Sequence, residues 1–362
     1  MITSVPPYIL YITAIVASAI ISMYSVKKII FITRHRKLYD IPDDIRKIHG
    51  AEIPSLGGIG IFTGYIIVAV FFWRGDSSFM PFFLSSSTLL FFTGIYDDIM
   101  NMRPSKKLIA QLIASFITIY FADIRIESLY GLFGLDVIPY WPGVILTTLC
   151  CTFFINVFNF IDGIDGLACV LAILYTVILG LMFACTEHYA IAGISFALTG
   201  AAIGLLFYNI APAKIYMGDT GSMFLGFSIF IFSMLFIIWF KGTEINNITP
   251  YIHGPRQAMI LVIAMLFLPV FDALRVFALR ASRGISPLKA DRTHLHYYLL
   301  DAGFTHSQSV LIIVTINILL IGIAYLMQDM NAPLILLCLI LLAVAALFVI
   351  YRLRQKKLVK GK

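Results

Sequence analysis

Eleven apolar runs of bilayer-crossing length, or close to it, succeed one another along the chain. They lie at about 8–32, 56–73, 79–96, 108–122, 142–160, 167–185, 190–208, 221–240, 258–279, 310–327 and 332–351. A hydrocarbon core about 30 Å thick needs about 20 helical residues. Lipid offers no hydrogen bonds, so only helices or a closed barrel can span it. The runs lack the period-two alternation of a barrel. The expected fold is therefore all-α and integral to the membrane, a polytopic bundle of about eleven transmembrane helices, or ten if a short run does not span. Composition agrees, with 60% hydrophobic and 12% charged residues among 362; soluble domains carry about a quarter charged residues. Disorder is excluded by the abundance of apolar residues. A disulfide scaffold is excluded because the five cysteines lie in apolar runs without a CxxC pair.

Charge sets the expected orientation. No basic residue precedes the first run, and Lys27 and Lys28 follow it, the reverse of a cleavable signal peptide. It reads as an anchor with its N-terminus outside. The odd-numbered connections and the C-terminus are then cytoplasmic, and 22 of the 26 Lys and Arg residues fall there, as the positive-inside rule requires. Only Arg74, Arg125, Lys241 and Arg256 fall outside. The net charge of +7 becomes a basic face against anionic lipid headgroups. No basic stretch is interleaved with aromatics, so nucleic acid is not an expected partner.

The polar motifs collect in these same connections. A transporter would place ionisable groups near the midplane; here they line one membrane surface. Asp97 and Asp98 end an apolar run, where acidic residues oppose the helix dipole, and adjacent positions point about 100° apart. Lys107 opens the next run, again against the dipole. Asn156, Asn159, Asp162 and Asp165 recur every third residue, which predicts one stripe of two amides and two carboxylates. Such a patch suits a hard cation or sugar and base hydroxyls. Gly218-Asp219-Thr220-Gly221-Ser222 opens a run. Its N–H groups suit a phosphate, and Asp219 reads equally as a helix cap or as a Mg²⁺ ligand.

Arg292, His294 and His296 lie in the longest cytoplasmic connection. The two histidines are expected on one side of an extended segment. Two histidines make too few ligands for zinc, whereas Arg forks onto phosphate. Pro269 predicts a kink in the ninth span, and Asp272 with Arg275 an i,i+3 ion pair. Lys47 and His49 precede Pro54 and Gly57-Gly58, a basic cluster fit either for a nucleotide phosphate or for lipid. Carboxylates hold Mg²⁺ and Mg²⁺ bridges pyrophosphates. The set therefore points to phosphoryl transfer between a soluble diphosphate donor and a lipid acceptor.

From Lys47 to Leu299 six motifs follow in order: the Arg-Lys-x-His and Pro-x-x-Gly-Gly run, Asp97-Asp98 with Lys107-Leu108, NVFNFIDGIDGLA, YMGDTGS, PVFDALRV and DRTHLH. In these the chain resembles the polyprenyl-phosphate N-acetylhexosamine-1-phosphate transferases, the WecA/TagO group related to MraY. The resemblance implies transfer of N-acetylhexosamine 1-phosphate, N-acetylglucosamine by default, from a UDP-sugar to undecaprenyl phosphate with release of UMP. It implies Mg²⁺, or Mn²⁺, as cofactor, with Asp219 its ligand. Asp97 and Asp98 would act at the lipid phosphate and Lys107 at the phosphates. Asn159, Asp162 and Asp165 would hold nucleotide and metal-bound groups, Tyr216 would stack on uracil, and Arg292, His294 and His296 would grip pyrophosphate and amino sugar.

The catalytic candidates are thus Asp97, Asp98, Lys107, Asp162, Asp165, His294 and His296. The substrate-binding candidates are Lys47, His49, Asn156, Asn159, Tyr216 and Arg292. Asn101 stands where many relatives carry a third acidic residue, and Tyr297 where many carry another histidine. The three-histidine run of the MraY branch is missing, which disfavours a muramoyl-pentapeptide donor. Within the fold that activity is the nearest rival; outside it, a lipid or sugar transporter is. The expectation is one transmembrane catalytic domain over 1–362, with residues 352–362 a basic cytoplasmic tail. It would lie in the bacterial inner membrane with its site facing the cytoplasm, and a homodimer would suit the family.

Overall fold

The computed structural model describes residues 6–36, 53–73, 78–134, 136–240, 254–284 and 292–360. Lys47 and His49 lie outside the described residues. Twelve α-helices follow in order: α1 Pro7–Arg36, α2 Gly58–Phe72, α3 Met80–Met100, α4 Pro104–Phe121, α5 Tyr140–Ile161, α6 Leu167–Cys185, α7 Tyr189–Asn209, α8 Gly218–Trp239, α9 Pro255–Ser282, α10 Leu295–Asp301, α11 His306–Leu326 and α12 Ala332–Lys360. Among the described residues a 3₁₀ turn, Leu132–Gly134, precedes α5.

Every apolar run is a helix, and among the described residues there is no strand. Among the described residues eight helices meet both length and apolarity for a membrane span, and α2, at 15 residues, is a shorter apolar one. One difference from the sequence reading stands out. The histidine segment forms the short helix α10 rather than an extended strand, with His294 preceding its first residue. The basic tail continues α12 as helix through Lys360. Helix α9 continues through Pro269.

Helix α8 is the axis. It is apolar around most of its circumference and buried without a break from Thr220 to Phe236, which is how a helix reads when neighbours surround it. It packs against α2, α3, α5, α6 and α9. Small residues set the close approaches, as is usual where lipid supplies no hydrophobic drive between helices. At Gly94 of α3 an added Cβ would stand 2.4 Å from Thr220 Cα, so α3 meets the start of α8 backbone to backbone. On the far side, α1 lays Ser18, Ser22 and Val26 against α2 and α7. Ser22 donates to the Ala201 carbonyl at 2.8 Å there.

The helix ends that carry the polar motifs meet at one end of the bundle. These are the C-termini of α3 and α5, the N-termini of α4 and α8, and α10. A backbone clasp holds the loop entering α8: Gly57 and Gly58 donate to the carbonyls of Tyr216 (3.0 Å) and Met217 (2.8 Å), and Tyr216 donates to Pro54 (2.8 Å). The Pro-x-x-Gly-Gly motif thus serves the YMGD loop.

Candidate active site

Asp219, in the first turn of α8, is the junction. Lys107 of α4 donates to one of its carboxylate oxygens and Asn159 of α5 to the other. Asn159 also donates to Ser222 at 2.8 Å. Lys107 is shared, lying 3.1 Å from Asp97 of α3. Four helices therefore converge on one lysine and two carboxylates.

The adjacent acids of α3 do different work, as their divergent directions predict. Asp97 accepts from the Met102 N–H at 2.6 Å and faces Lys107. Asp98 accepts from the N–H groups of Asp219 (2.7 Å) and Thr220 (3.0 Å) and from the Thr220 hydroxyl (2.5 Å). Those N–H groups are unpaired at any helix start. Asp98 therefore caps α8 from another helix, and the N–H groups that the sequence offered to a phosphate are already bonded to a carboxylate. Gly218 makes this possible: it sits at φ +72°, and a Cβ there would meet Ser55 O at 1.8 Å and the Asp98 carboxylate at under 3 Å.

The amide-carboxylate stripe holds only in part. Helix α5 stops at Ile161 with Asp162 at its C-cap, so Asp165 lies in the turn beyond. Asn159 reaches Asp219, but Asn156 lies one turn deeper. It pairs with Gln111 of α4, donating at 2.7 Å and accepting at 3.4 Å, and donates to Thr152 O at 2.8 Å. Asn156 thus holds α5 to α4 below the site. Asp162 is half-buried; desolvation, and then the neighbouring Asp219 carboxylate, push its carboxyl up to about 7. Asp165 accepts from the Ala213 N–H at 3.1 Å. Burial, with Asp165 and Asp162 adding, also raises the Tyr216 phenol.

The histidine segment is organised by a residue that sequence reasoning treated only as half of an ion pair. Asp272 of α9 binds Arg275 at 2.7 Å and His294 Nδ1 at 2.9 Å, and accepts from the Leu295 N–H at 3.1 Å. Arg275 in turn donates to Thr293 O at 2.5 Å. A carboxylate on one ring nitrogen fixes which nitrogen faces outward. The rings of His294 and His296 lie parallel with centroids 5.7 Å apart. His296 is buried against Gly163, where a Cβ would fall 2.2 Å from Nε2. Burial, and then His294, lower its pKa to about 3, so its imidazole is neutral. Arg292 lies over Tyr297 at 5.2 Å and 3.2 Å from Asp301.

Gln111 went unnoticed in the sequence. Its signal was a polar stripe on an apolar helix: Lys107, Gln111, Ser115 and Thr118 fall at spacings of four, four and three. Each meets a polar partner on α3, α5 or α8.

Among the described residues no three histidine, cysteine or carboxylate side chains form a ready-made metal cage. Mg²⁺ does not require one, being usually held by one or two carboxylates with phosphate and water. The donor set fits such an ion. Asp97 and Asp219 share the Lys107 ammonium, Asp98 is engaged in capping α8, and Asp162 adds a further carboxylate near Asp219, so oxygen ligands predominate.

The fold and the site define a polytopic membrane protein with a carboxylate-rich centre at one end of its bundle. The profile described as Glycosyl transferase family 4 matches residues 80–237. A probable undecaprenyl-phosphate N-acetylglucosaminyl 1-phosphate transferase of Bacillus subtilis is 30% identical over 275 residues, 75% of this chain and 72% of that one. A decaprenyl-phosphate N-acetylglucosaminephosphotransferase of Mycobacterium tuberculosis is 30% identical over 295 residues, covering 74% and 70%. An undecaprenyl-phosphate alpha-N-acetylglucosaminyl 1-phosphate transferase of Salmonella typhi is 27% identical over 295 residues, covering 79% and 75%. The chain belongs to glycosyl transferase family 4.

Proposed function

We propose that the protein transfers N-acetylglucosamine 1-phosphate from UDP-N-acetylglucosamine to undecaprenyl phosphate at the cytoplasmic face of the bacterial inner membrane. The relatives' names supply the reaction. The observation that carries it to these residues is the junction of Asp97, Lys107, Asn159 and Asp219 at the end of the bundle.

An oxygen of the lipid phosphate attacks the β-phosphorus of the UDP-sugar. The bond from that phosphorus to the bridging oxygen breaks, and UMP leaves with the electron pair. The acceptor phosphate has a second pKa of about 6 and is largely ionised at neutral pH, so no strong general base is needed. Bound Mg²⁺ would neutralise phosphate charge, with Asp219 as its protein ligand. Lys107 supplies fixed positive charge between the acceptor side, at Asp97, and the metal side, at Asp219. Asn159 holds the Asp219 carboxylate in place, and Asp98 holds the helix that bears it. Positioning and electrostatics are the main sources of rate in phosphoryl transfer.

The test is UMP release by detergent-purified protein given undecaprenyl phosphate, UDP-N-acetylglucosamine and Mg²⁺. Release that needs lipid, metal and Asp219, absent in Asp219→Ala, supports the reading. Folded protein that releases no UMP with any UDP-sugar overturns it.

A further inference from the structure

His306 opens α11, ten residues beyond the histidine segment, and none of the motifs includes it. A capping box fixes its place: Thr305 accepts from the Gln308 N–H at 3.3 Å, and the Gln308 side chain accepts from the Thr305 N–H at 2.9 Å. The imidazole reaches across to the turn after α5, where the Asp165 N–H donates to His306 Nδ1 at 3.2 Å. The Asp165 carboxylate lies 3.4 Å from the same nitrogen and takes the Ala213 N–H at 3.1 Å.

With Nδ1 accepting from the Asp165 N–H, a neutral ring carries its hydrogen on Nε2. The ring is part-exposed, at 27% for the side chain. Nε2 is then the ring nitrogen that does not serve the Asp165 turn. Helix α11 packs on α6, α9, α10 and α12, the side of the site away from Asp97 and its helix. That side carries the Asp165 turn and the histidine segment and not Asp97.

We infer that His306 is a further substrate-binding residue, whose Nε2–H donates a hydrogen bond to an oxygen of the UDP-sugar while its Nδ1 anchors the Asp165 turn. This inference rests on the function proposed above. The two nitrogens have separable roles, and two amides separate them. The asparagine amide reaches about as far as Nδ1 and can still accept from Asp165. The glutamine amide reaches about as far as Nε2 and can still donate to substrate.

The experiment measures UDP-N-acetylglucosamine affinity by titration calorimetry of the detergent-solubilised full chain. Thermal stability and the KM for undecaprenyl phosphate are measured alongside, for wild type, His306→Asn, His306→Gln and His306→Ala. Loss of one substrate hydrogen bond weakens binding about tenfold. The expected result is that loss in His306→Asn with unchanged melting temperature and lipid KM, and near wild-type affinity in a less stable His306→Gln. A His306→Asn protein that binds the UDP-sugar as wild type does overturns the inference, as does affinity loss that merely follows melting temperature across the variants. Wild type that neither binds nor turns over any UDP-sugar overturns the function reading as well; wild type that binds, matched by His306→Asn, overturns only the role of His306.

Discussion

Asp98 accepts the N–H of Asp219 at 2.7 Å, so one acid of the site is the helix cap of another. The N-cap residue Met217 has no side-chain oxygen to offer, and Asp98 supplies one from α3. Asp219 is released from capping and turns its carboxylate to Lys107 and Asn159. Replacing Asp98 by Ala strands two N–H groups and a hydroxyl. A charge-assisted hydrogen bond contributes about 1.5–3 kcal/mol, so Asp98→Ala should lower both melting temperature and activity. Asp97→Asn should leave the melting temperature near wild type while UMP release falls. Thermal denaturation in detergent beside an activity assay separates the two; equal melting temperatures would refute the capping role.

Lys107 joins Asp97 to Asp219 as a compact point charge. Lys107→Ala should reduce turnover at least a hundredfold, about 2.7 kcal/mol of transition-state stabilisation. Lys107→Arg should not restore it, since a planar fork on this side chain does not fit the ammonium's place. Steady-state kinetics at saturating lipid and UDP-sugar would decide, and an active arginine variant would argue against the point-charge role.

Metal removal should be reversible. Chelation should abolish UMP release, and added Mg²⁺ or Mn²⁺ should return it. Asp219→Glu should need a higher Mg²⁺ concentration for half-maximal rate. An unchanged metal requirement in that variant would move the ligand role elsewhere.

His296 makes stability depend on pH. Burial, and then His294, hold its folded value at about 3 against an ordinary 6.5. Between those values the unfolded chain binds the proton and the folded protein does not. Stability should therefore be full above 6.5 and decline as the pH falls toward 3, at up to about 1.4 kcal/mol per pH unit for one such group. Melting temperature measured from pH 7 to pH 4 should fall less steeply in His296→Phe than in wild type. Parallel curves would remove His296 as the cause.

Gln111, buried, and Asn156, half-buried, form a pair of amides. Gln111→Leu alone leaves the Asn156 amide with only Thr152 O as partner, a penalty of about 1–3 kcal/mol, whereas replacing both can be nearly neutral. The double variant with Asn156→Leu should therefore melt higher than Gln111→Leu. Additive losses would mean that the pair is not coupled.

The helices were legible because bilayer thickness writes a length into each apolar run, and all eleven runs became helices. Helix α10 was not legible, since seven residues bearing two histidines carry no such length. The site residues stood out singly as polar groups where burial is costly. Their pairings did not, because Asp98 with Thr220 or Asp272 with His294 are contacts between distant helices that no local spacing encodes. The stripe from Asn156 to Asp165 failed for a related reason: three-residue spacing marks one face only while the helix lasts, and α5 ends before Asp165.

Asp301 receives Arg354 of α12 at 2.9 Å, and that guanidinium lies over Tyr298 at 4.4 Å. The histidine segment is thereby braced by a helix that the ribosome makes after every other element of the site. The carboxylates of α3, α5 and α8 are therefore made before this brace exists. Synthesis thus imposes an order on assembly: the histidine segment is fixed last, once the helices that carry the carboxylates are already made.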